Sequence, residues 1–433
     1  MEMQEDPFSV KIAWLYFLAN GISAAMSTTF SPISNSLQTY YSASENTIFY
    51  LNSVYMIYFL IVNFFANYSI DKYGVKNSVN LCLVLTLVGA WLRIMIQKKL
   101  VILLLGQTIM ACAYPFISNC LSKISNIWFN PKIRIKMTSL MSSSYMFGIG
   151  FGFLLTSFYW QEKNDELSVT VNLKNLMYFS ALCCSFASIP VFLYFREEPD
   201  IPPSFSAEAK REEFLTSVFI LKNKDFVLLF ISFSLAYWNY ITINLMIHHL
   251  LAPFGLDEFQ ISVIGVIVNI FSGISKIVVA YIAGEYLSLK KTIVYIFILQ
   301  TITVAMFLFA MNTENIIFIY VISALMGFFC QMYWGPALEF ACEIVYPVSE
   351  SHANGYLLLG GNIAGLITNY AASLLYSHFS NPDYFFIYLI VSYILCVILT
   401  YMISDKMNRE EFEMHALKNI NNLRKDGVLL QKY

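Results

Sequence analysis

Long apolar segments alternate with short polar connections along almost the whole chain. A helix needs about 20 apolar residues to cross a bilayer core of roughly 30 Å. Segments of this length recur twelve times, so the pattern predicts an all-α membrane protein with twelve transmembrane helices. We expect spans at residues 12–36, 46–70, 77–97, 100–128, 138–160, 173–195, 227–251, 259–283, 291–311, 315–342, 352–377 and 383–403.

The longest polar interruption begins REEPDIPPSF at Arg196 and divides the predicted spans six and six. The run GIGFG, from Gly148 to Gly152, predicts a close helix contact, because small residues let backbones approach. Two six-helix halves joined by a charged loop are typical of the major facilitator fold. The predicted regions are an N-terminal half at 1–195, a central loop at 196–226, a C-terminal half at 227–403 and a partly helical tail at 404–433.

Lysine and arginine residues predict the orientation, because they accumulate in cytoplasmic loops. If the N-terminus is cytoplasmic, most of the 26 Lys and Arg residues fall on the cytoplasmic side. We therefore expect both termini in the cytoplasm, in the plasma membrane or an endomembrane. The outside then holds only Lys98, Lys99, Lys163 and Lys174.

Composition narrows the function. The chain is 58% hydrophobic and 12% charged, whereas soluble proteins carry about 25% charged residues. A net charge of −2 gives no basic excess for nucleic acid. The eight cysteines lie in apolar stretches and are expected to be small buried side chains, not disulfides or metal ligands. We expect a monomer in the lipid bilayer that needs no cofactor and carries no nucleotide-binding GxxxxGK[ST] loop.

A similar charged loop follows the second span of each half. DKYGVK comes after span two and GEYLSLKK after span eight. Each places an acid, Asp71 or Glu285, at a predicted cytoplasmic helix end, with lysines a few residues later. Such loops could simply satisfy the orientation rule, but their repetition at matching places favours a cytoplasmic gate.

The paired loops resemble a motif of major facilitators between spans two and three, and in weaker form between eight and nine. In that fold the acid faces the N-terminus of a helix in the other half, where the helix dipole favours an anion. The resemblance implies that Asp71 lies near Ser351 and Glu285 near Met137. The candidate gate residues of the two loops are Asp71, Lys72, Lys76 and Glu285.

Three stretches carry a closer resemblance. They are NSLQTYYSASENTIFYLNSVYM, GQTIMACAYPFISNCLSKISNIWF and ALEFACEIVYPVSESHANGYLLLGGNIAG. Together they resemble the transporter family named for the feline leukaemia virus subgroup C receptor, solute carrier family 49. The resemblance implies a transporter of a small organic solute. Cargoes attributed to the family include choline, ethanolamine, haem and a vitamin-like pyridine.

Substrate sites in this fold lie near the bilayer midplane, between the halves. In the choline-carrying members a Trp of span one and a Tyr of span seven enclose the quaternary ammonium, because cations are attracted to aromatic faces. The matching positions here are Ser27 and Leu245, so both aromatics are missing and choline is weakened as the cargo. Two glutamines of the same pocket match Tyr114 and Asn362.

Span seven could supply other pocket walls. Tyr237, Tyr240 and Asn244 are spaced so that they share one helix face. With 17% aromatic residues, however, most Tyr and Trp side chains must pack in the core or lie in an interface belt. The candidate substrate-binding residues are Ser27, Tyr114, Tyr237, Tyr240, Asn244 and Asn362.

Basic side chains inside the predicted spans are expensive unless they are paired or reach water. We expect Arg93 and Lys123 to snorkel to the interface. Lys276 lies at a depth of roughly 10 Å, from which its stem could nearly reach water, or it could take an ion-pair role. His248 and His249 fall at the outer end of span seven, where interface histidines are commoner than a gate or pH sensor.

Glu339 and Glu343 share one face of span ten near its cytoplasmic end. Two acids on one face repel unless a base lies between them or one is protonated. We expect them to pair with Lys123 or the cluster Lys132–Lys136 as a second gate contact. Proton coupling by one of them is the alternative.

Three functions remain open. A carrier of a small organic solute is favoured over a non-transporting receptor or scaffold with the same fold. A membrane-embedded enzyme is disfavoured, because no catalytic or metal-ligand cluster sits at matching depth on the helices.

Overall fold

The computed structural model describes residues 6–30, 33, 37, 40–98, 100–159, 166–204, 218–251, 254–256, 258–283, 286–313, 315–378 and 383–425. This part of the chain contains fifteen named α-helices and no β-strand. The all-α class is confirmed. The helices are α1 (Ser9–Thr28), α2 (Glu45–Tyr73), α3 (Val75–Leu92), α4 (Leu100–Ser118), α5 (Leu121–Trp128), α6 (Pro131–Tyr159), α7 (Glu166–Tyr194), α8 (Lys224–Leu251), α9 (Glu258–Ile282), α10 (Leu289–Met311), α11 (Ile316–Cys330), α12 (Trp334–Val345), α13 (Glu350–His378), α14 (Asp383–Tyr401) and α15 (Asn408–Lys425).

The helices form twelve spans because two spans are broken. The fourth span is divided into α4 and α5, and the tenth into α11 and α12. Pro115 lies four residues before the first break and cannot donate a backbone hydrogen bond. Both breaks fall in the fourth span of a set of six, and interrupted helices at matching places are a feature of transporters with internal repeats.

Ten described spans are long and apolar enough to cross a membrane by length and composition alone. The two that fall short, α1 and α13, contain polar and small stretches such as NGISAAMST and ESHANGY. Both pack inside the bundle: α1 against α6 and α7, and α13 against α2 and α8.

The main helix contacts of the two sets of six spans correspond. In the first set α1 packs against α6 and α7, α4 against α2 and α3, and α3 against α7. In the second set α8 packs against α13 and α14, α11 against α9 and α10, and α10 against α14. Between the sets, α2 meets α13 and α9 meets α6. The two sets, which we call the N-half and the C-half, therefore repeat the same pattern of helix packing.

The ends of the bundle can be told apart by the direction of the helices. Successive spans alternate, so α1, α6 and α13 begin at the same end at which α2, α9 and α12 finish. The tail helix α15 also lies there, against the end of α12. We call this the inner end and the other the outer end.

Glycine allows the closest helix contacts within the N-half. A Cβ atom at Gly148 of α6 would lie 2.2 Å from Gly21 O of α1, and one at Gly152 would lie 2.7 Å from Ala25 O. A Cβ at Gly150, on another face of α6, would meet nothing within 4 Å. The close contact predicted from GIGFG is thus present, and Gly148 and Gly152 provide it.

Large apolar side chains cover the outside of the bundle. Phe65, Leu154, Phe186, Leu193 and Ile317 each expose between 68% and 71% of their surface. A soluble protein rarely exposes so much contiguous apolar area. With the ten apolar spans, this surface shows an integral, multi-pass membrane protein.

Some predicted boundaries were wrong. The first span was expected to reach residue 36, but α1 ends at Thr28. The second was expected to end at residue 70, whereas α2 continues to Tyr73 and stops at Gly74, whose φ of 88° disfavours other residues. Asp71 and Lys72 consequently belong to the last turn of a helix and not to a loop.

The glycine contact predicts opposite effects for two neighbouring substitutions. Gly148→Ala should destabilise the protein by about 1–3 kcal/mol, because the new methyl group overpacks the α1–α6 contact. Gly150→Ala should be neutral or stabilising by up to about 1 kcal/mol, because alanine favours a helix. Thermal unfolding of both purified variants in detergent measures this. Equal melting temperatures for the two would contradict the close α1–α6 packing.

Candidate functional site

At the inner end, Asp71 of α2 binds residues of both halves. Its Oδ1 accepts hydrogen bonds from Ser349 Oγ at 2.7 Å and Ser351 Oγ at 3.0 Å, both from the C-half. Lys123 Nζ of α5 donates to the same oxygen at 2.6 Å. His352 Nδ1 lies 2.8 Å from Oδ2. One carboxylate therefore joins α2 and α5 to the start of α13.

The position of Asp71 suits its negative charge. The first N–H groups of a helix lack intrahelical partners, and the helix dipole places partial positive charge there. Asp71 lies beside this end of α13, which begins at Glu350. The contact of Asp71 with Ser351 is the one that the resemblance of the DKYGVK loop implies.

Two glycines let the halves approach closely beside Asp71. A Cβ at Gly355 of α13 would lie 2.4 Å from Asn67 Nδ2 of α2. A Cβ at Gly335 of α12 would lie 2.1 Å from Ser139 Oγ of α6. The neighbour in both cases is a polar side chain of the N-half. The inner end is therefore closed in this structure by polar contacts between the halves.

A buried acidic cluster lies on α12, also at the inner end. Glu339 and Glu343 of α12 are 0% and 6% exposed. Arg409 of the tail helix donates to Glu343 Oε1 from Nε at 2.7 Å and to Glu339 Oε2 from Nη2 at 2.8 Å. Its Nη1 lies 3.9 Å from Glu350 Oε1. Thr138 of α6 donates to the other oxygen of Glu339, so the cluster also touches the N-half.

The acids hold Arg409 in its charged form. Burial acts to lower the pKa of Arg409, but the carboxylates of Glu343 and Glu339 outweigh burial and raise that pKa well above its usual value. Removing one member of a buried pair typically costs 3–5 kcal/mol, because the other charge is left uncompensated. Arg409 is therefore the cation on which this end of α12 depends.

The tail helix contacts the N-half as well. Arg134 Nη2 of α6 lies 3.4 Å from Glu413 Oε1 of α15 and donates to Ser204 Oγ of the central loop at 2.9 Å. Asn408 Nδ2 donates to Ile344 O at the end of α12. The tail helix thus bridges the halves across the inner end.

These contacts correct one expectation. Glu339 and Glu343 were expected to pair with Lys123 or the cluster Lys132–Lys136, but Lys123 is bound to Asp71 and the cation hydrogen bonded to the acids is Arg409. Of the expected cluster, Arg134 interacts electrostatically with both acids. Arg409 was missed because it lies 66 and 70 residues away in the chain. Only the helical pattern of the tail hinted that the segment docks at all.

The contacts of the other candidate gate residues do not involve the Asp71 carboxylate. Lys72 is exposed and donates to Tyr68 Oη of its own helix at 2.7 Å. The backbone N–H of Lys76 donates to Glu197 Oε2, and that of Val75 to Glu197 Oε1, both at 2.7 Å. Glu285 is outside the described residues.

In the middle of the N-half, Tyr114 forms an aromatic cluster. Its ring centroid lies 5.6 Å from that of Tyr145, 5.9 Å from Phe59 and 6.2 Å from Tyr55. These rings come from α2, α4 and α6. Tyr114 therefore does stand beside other aromatic side chains.

A second aromatic cluster lies in the C-half. The ring centroid of Tyr237 lies 5.3 Å from that of Trp334 and 6.3 Å from that of Phe233. It packs so closely against α13 that a Cβ at Gly361 would lie 2.2 Å from Tyr237 Cδ1. Asn362, the next residue, is 4% exposed and donates to Leu358 O of its own helix at 2.8 Å.

The two halves meet between these clusters. Tyr240 Oη of α8 donates to Asn269 Oδ1 of α9 at 2.7 Å and lies 3.1 Å from Met146 Sδ of α6. Tyr145, the neighbour of Met146, belongs to the first cluster. Tyr114, Tyr237, Tyr240 and Asn362 therefore belong to the packed region around this contact between the halves, which we call the central chamber.

Ser27 lies towards the outer end of α1. Its Oγ donates to Ala24 O, and its carbonyl oxygen accepts from Gln107 Nε2 at 3.4 Å. The side chains of Asn244, Leu245, His248 and His249 are outside the described residues.

Arg93 was expected to snorkel, and this was wrong. The side chain is fully buried. Its Nη1 donates to Met26 O at 3.2 Å and Gln107 Oε1 at 3.0 Å, and its guanidinium lies 5.0 Å from the Phe30 ring centroid. Internal acceptors on α1 and α4 replace water, so Arg93 ties these helices to the end of α3. In the described residues no set of three His, Cys, Asp or Glu side chains could hold a metal ion.

Comparison with known proteins extends this picture. The family model described as the Major Facilitator Superfamily matches residues 16–346 and 229–430. The chain is 24% identical to the choline/ethanolamine transporter FLVCR1 of Mus musculus, covering 96% of this chain and 78% of that protein. It is 22% identical to the choline/ethanolamine transporter FLVCR2 of Homo sapiens, covering 90% and 76%. An uncharacterized MFS-type transporter of Caenorhabditis elegans is 24% identical, covering 95% and 72%.

Solved structures share the fold. The proton:xylose symporter XylE has a TM-score of 0.74 at 12% identity and covers 95% of this chain and 99% of its own. FucP in the outward conformation has a TM-score of 0.73 at 10% identity and covers 91% and 99%. At these identities the likeness concerns the fold.

The Arg409 cluster predicts that the tail keeps the inner end closed. In a variant that retains only Cys342, which is 2% exposed beside the cluster, Arg409→Gln should raise the labelling rate of Cys342 by a membrane-impermeant maleimide applied to the inner side. We expect roughly a hundredfold change, since about 3 kcal/mol of pairing is lost. Lys406→Gln, an exposed cation three residues earlier, is the control. Equal labelling of the Arg409 and Lys406 variants would contradict the role of Arg409.

Proposed function

Because this chain belongs to the major facilitator superfamily, we propose that it carries a small organic solute across a membrane by alternating access. The two halves would rock about the central chamber and expose it first at one end and then at the other. The observation that carries this proposal is the polar closure of the inner end, where Asp71 of the N-half binds Ser349 and Ser351 of the C-half.

The type of contact favours movement between the halves. Hydrogen bonds to hydroxyl groups can be exchanged for hydrogen bonds to water, so each contributes only about 0.5–1.5 kcal/mol net. Within the N-half, α1 and α6 instead share tight glycine contacts, such as Gly148 against Gly21, that water cannot replace. Opening at the inner end would therefore separate the halves as two rigid units.

Asp71, Glu339 and Glu343 would act as the inner gate. In the closed state their carboxylates are neutralised by Lys123 and by Arg409. On opening, these groups would become hydrated and the desolvation cost of the charges would disappear. The two states would then differ by only a few kcal/mol, which is the range that a bound solute can reverse. By the distribution of Lys and Arg, the inner end would face the cytoplasm.

The solute would bind in the central chamber. Aromatic faces from Tyr114 and Tyr237 and the amide of Asn362 offer apolar contact together with a few polar groups, the usual composition of small-molecule sites. Choline and ethanolamine are the first cargoes to test, because the relatives FLVCR1 and FLVCR2 are named for them. Ser27 stands where the choline carriers place a Trp, so this chamber would bind its cargo differently.

The test is an uptake and efflux screen with labelled choline, ethanolamine, haem and pyridoxine in cells that express the protein. Transport of any of these above vector-only cells supports the proposal. A protein that reaches the membrane, binds a solute and never moves it would instead be a receptor or scaffold of the same fold.

Asn362→Ala and Tyr114→Ala should each lower uptake of the transported solute about tenfold or more, because each removes a contact in the chamber worth about 1.4 kcal/mol or more. Surface expression, measured by biotinylation, should change little. Tyr295→Ala is the control, since Tyr295 is half exposed on the outside of α10. Full transport by both chamber variants would remove these residues from the substrate site.

A further inference from the structure

Lys276 of α9 has a buried amino group without a counter-charge. The residue is 1% exposed. Its Nζ lies 4.6 Å from the centroid of the Trp334 ring. Within the described part of the chain, Nζ has neither a hydrogen-bond acceptor nor an ion-pair partner. The expectation that its stem nearly reaches water was therefore wrong.

The other buried charged side chains that the structure describes are neutralised or hydrogen bonded. Arg409 faces Glu339 and Glu343, and Arg93 has a carbonyl and an amide oxygen as acceptors. An ammonium carries three N–H donors, and a ring face attracts the charge but satisfies these donors poorly. An unpaired ammonium inside a membrane protein is costly and marks a functional position by default.

Lys276 lies on the face of α9 that is turned towards the N-half. Asn269, Gly273 and Lys276 are spaced by four and three residues, which places them on one side of a helix. A Cβ at Gly273 would touch Met146 Cβ of α6 at 3.4 Å. Asn269 is bound to Tyr240, which also contacts Met146. This face therefore borders the central chamber.

The Trp334 ring connects Lys276 to the candidate substrate-binding residues. Trp334 is 5.3 Å from Tyr237, and Tyr237 packs against Gly361, the neighbour of Asn362. The Lys276 amino group thus lies against Trp334, and Trp334 with Tyr237 of the central chamber forms an aromatic wall. An anionic group entering the chamber would meet Lys276 beside this wall.

We propose that Lys276 binds the carboxylate of the transported solute, so that the cargo is a small organic anion or zwitterion. The proposal rests on the transport function proposed above and specifies its substrate class. A carboxylate supplies the acceptors and the negative charge that Lys276 lacks, and charge-assisted hydrogen bonds of this kind are about twice as strong as neutral ones. Trp334 and Tyr237 pack against the apolar part of the solute.

The same charge discriminates against cations. A solute whose only charge is an ammonium would be repelled by Lys276 in a site of low dielectric constant. Ser27 removes one aromatic side chain of the cage that favours a quaternary ammonium in the choline carriers. The lysine and the missing aromatic therefore point to the same change of cargo.

The test uses matched pairs of solutes that share a skeleton and differ by a carboxylate. The pairs are glycine betaine and choline, glycine and ethanolamine, nicotinate and nicotinamide, and benzoate and benzyl alcohol. Thermal stabilisation of the purified full-length protein measures binding, and counterflow in proteoliposomes measures transport. The wild type should bind at least one carboxylate roughly 10- to 100-fold more tightly than its partner.

Three variants assign the effect to the charge. Lys276→Met should abolish the preference for the carboxylate and raise the melting temperature of the solute-free protein, because an unpaired buried charge is removed. Lys276→Arg should retain a preference for carboxylates. Lys174→Met is the matched control, since Lys174 also lies over a ring, that of Tyr178, at 5.7 Å, but on another helix, α7.

Three results would overturn the proposal. They are a panel in which no carboxylate binds more tightly than its partner, a preference that survives in Lys276→Met, and a loss of preference in Lys174→Met as well. Counterflow of neutral or cationic members that is unaffected by Lys276→Met would refute the carboxylate site and leave the transport function standing. A wild type that catalyses no counterflow of any solute it binds would refute the transport function itself.

Discussion

A carboxylate shared between the two halves is the constraint on which the rest of this structure depends. Asp71 is fixed by hydroxyl groups at the start of α13, by Lys123 and by His352. The hydroxyl groups of Ser349 and Ser351 reach this carboxylate only when the two halves are in contact. The halves must therefore meet at this point with the glycines Gly335 and Gly355 in register, and the closed inner end follows from that requirement.

The constraint explains where the protein can move. The polar contacts between the halves at the inner end can be replaced by contacts with water, whereas tight glycine contacts such as Gly148 against Gly21 hold α1 to α6 within the N-half. The tail helix adds Arg409 to this boundary, so an element outside the twelve spans takes part in holding it closed. The chamber lies deeper, and its one unpaired cation, among the described residues, lies on the helix face that borders the opposite half.

The sequence predicted the parts of the fold that depend on local pattern. Apolar segment length located the spans, GIGFG indicated a close helix contact on α6 without naming its partner, and the DKYGVK resemblance placed Asp71 beside Ser351. Partners distant in sequence were not predictable, because the pairing of Arg409 with Glu339 and Glu343 depends on where the tail docks. Arg93 and Lys276 were misjudged for a related reason: depth along a helix does not reveal whether the surrounding helices offer an acceptor or a route to water.

Distances across the two ends of the bundle test alternating access most directly. Spin labels at exposed Tyr73 and Tyr286 report on the inner end, and labels at exposed Met95 and Phe309 report on the outer end. Pulsed electron paramagnetic resonance on the protein with Asp71→Asn should show a longer inner distance together with a shorter outer one, relative to the unsubstituted background. Distances that stay unchanged at both ends, or that lengthen at both, would contradict the account.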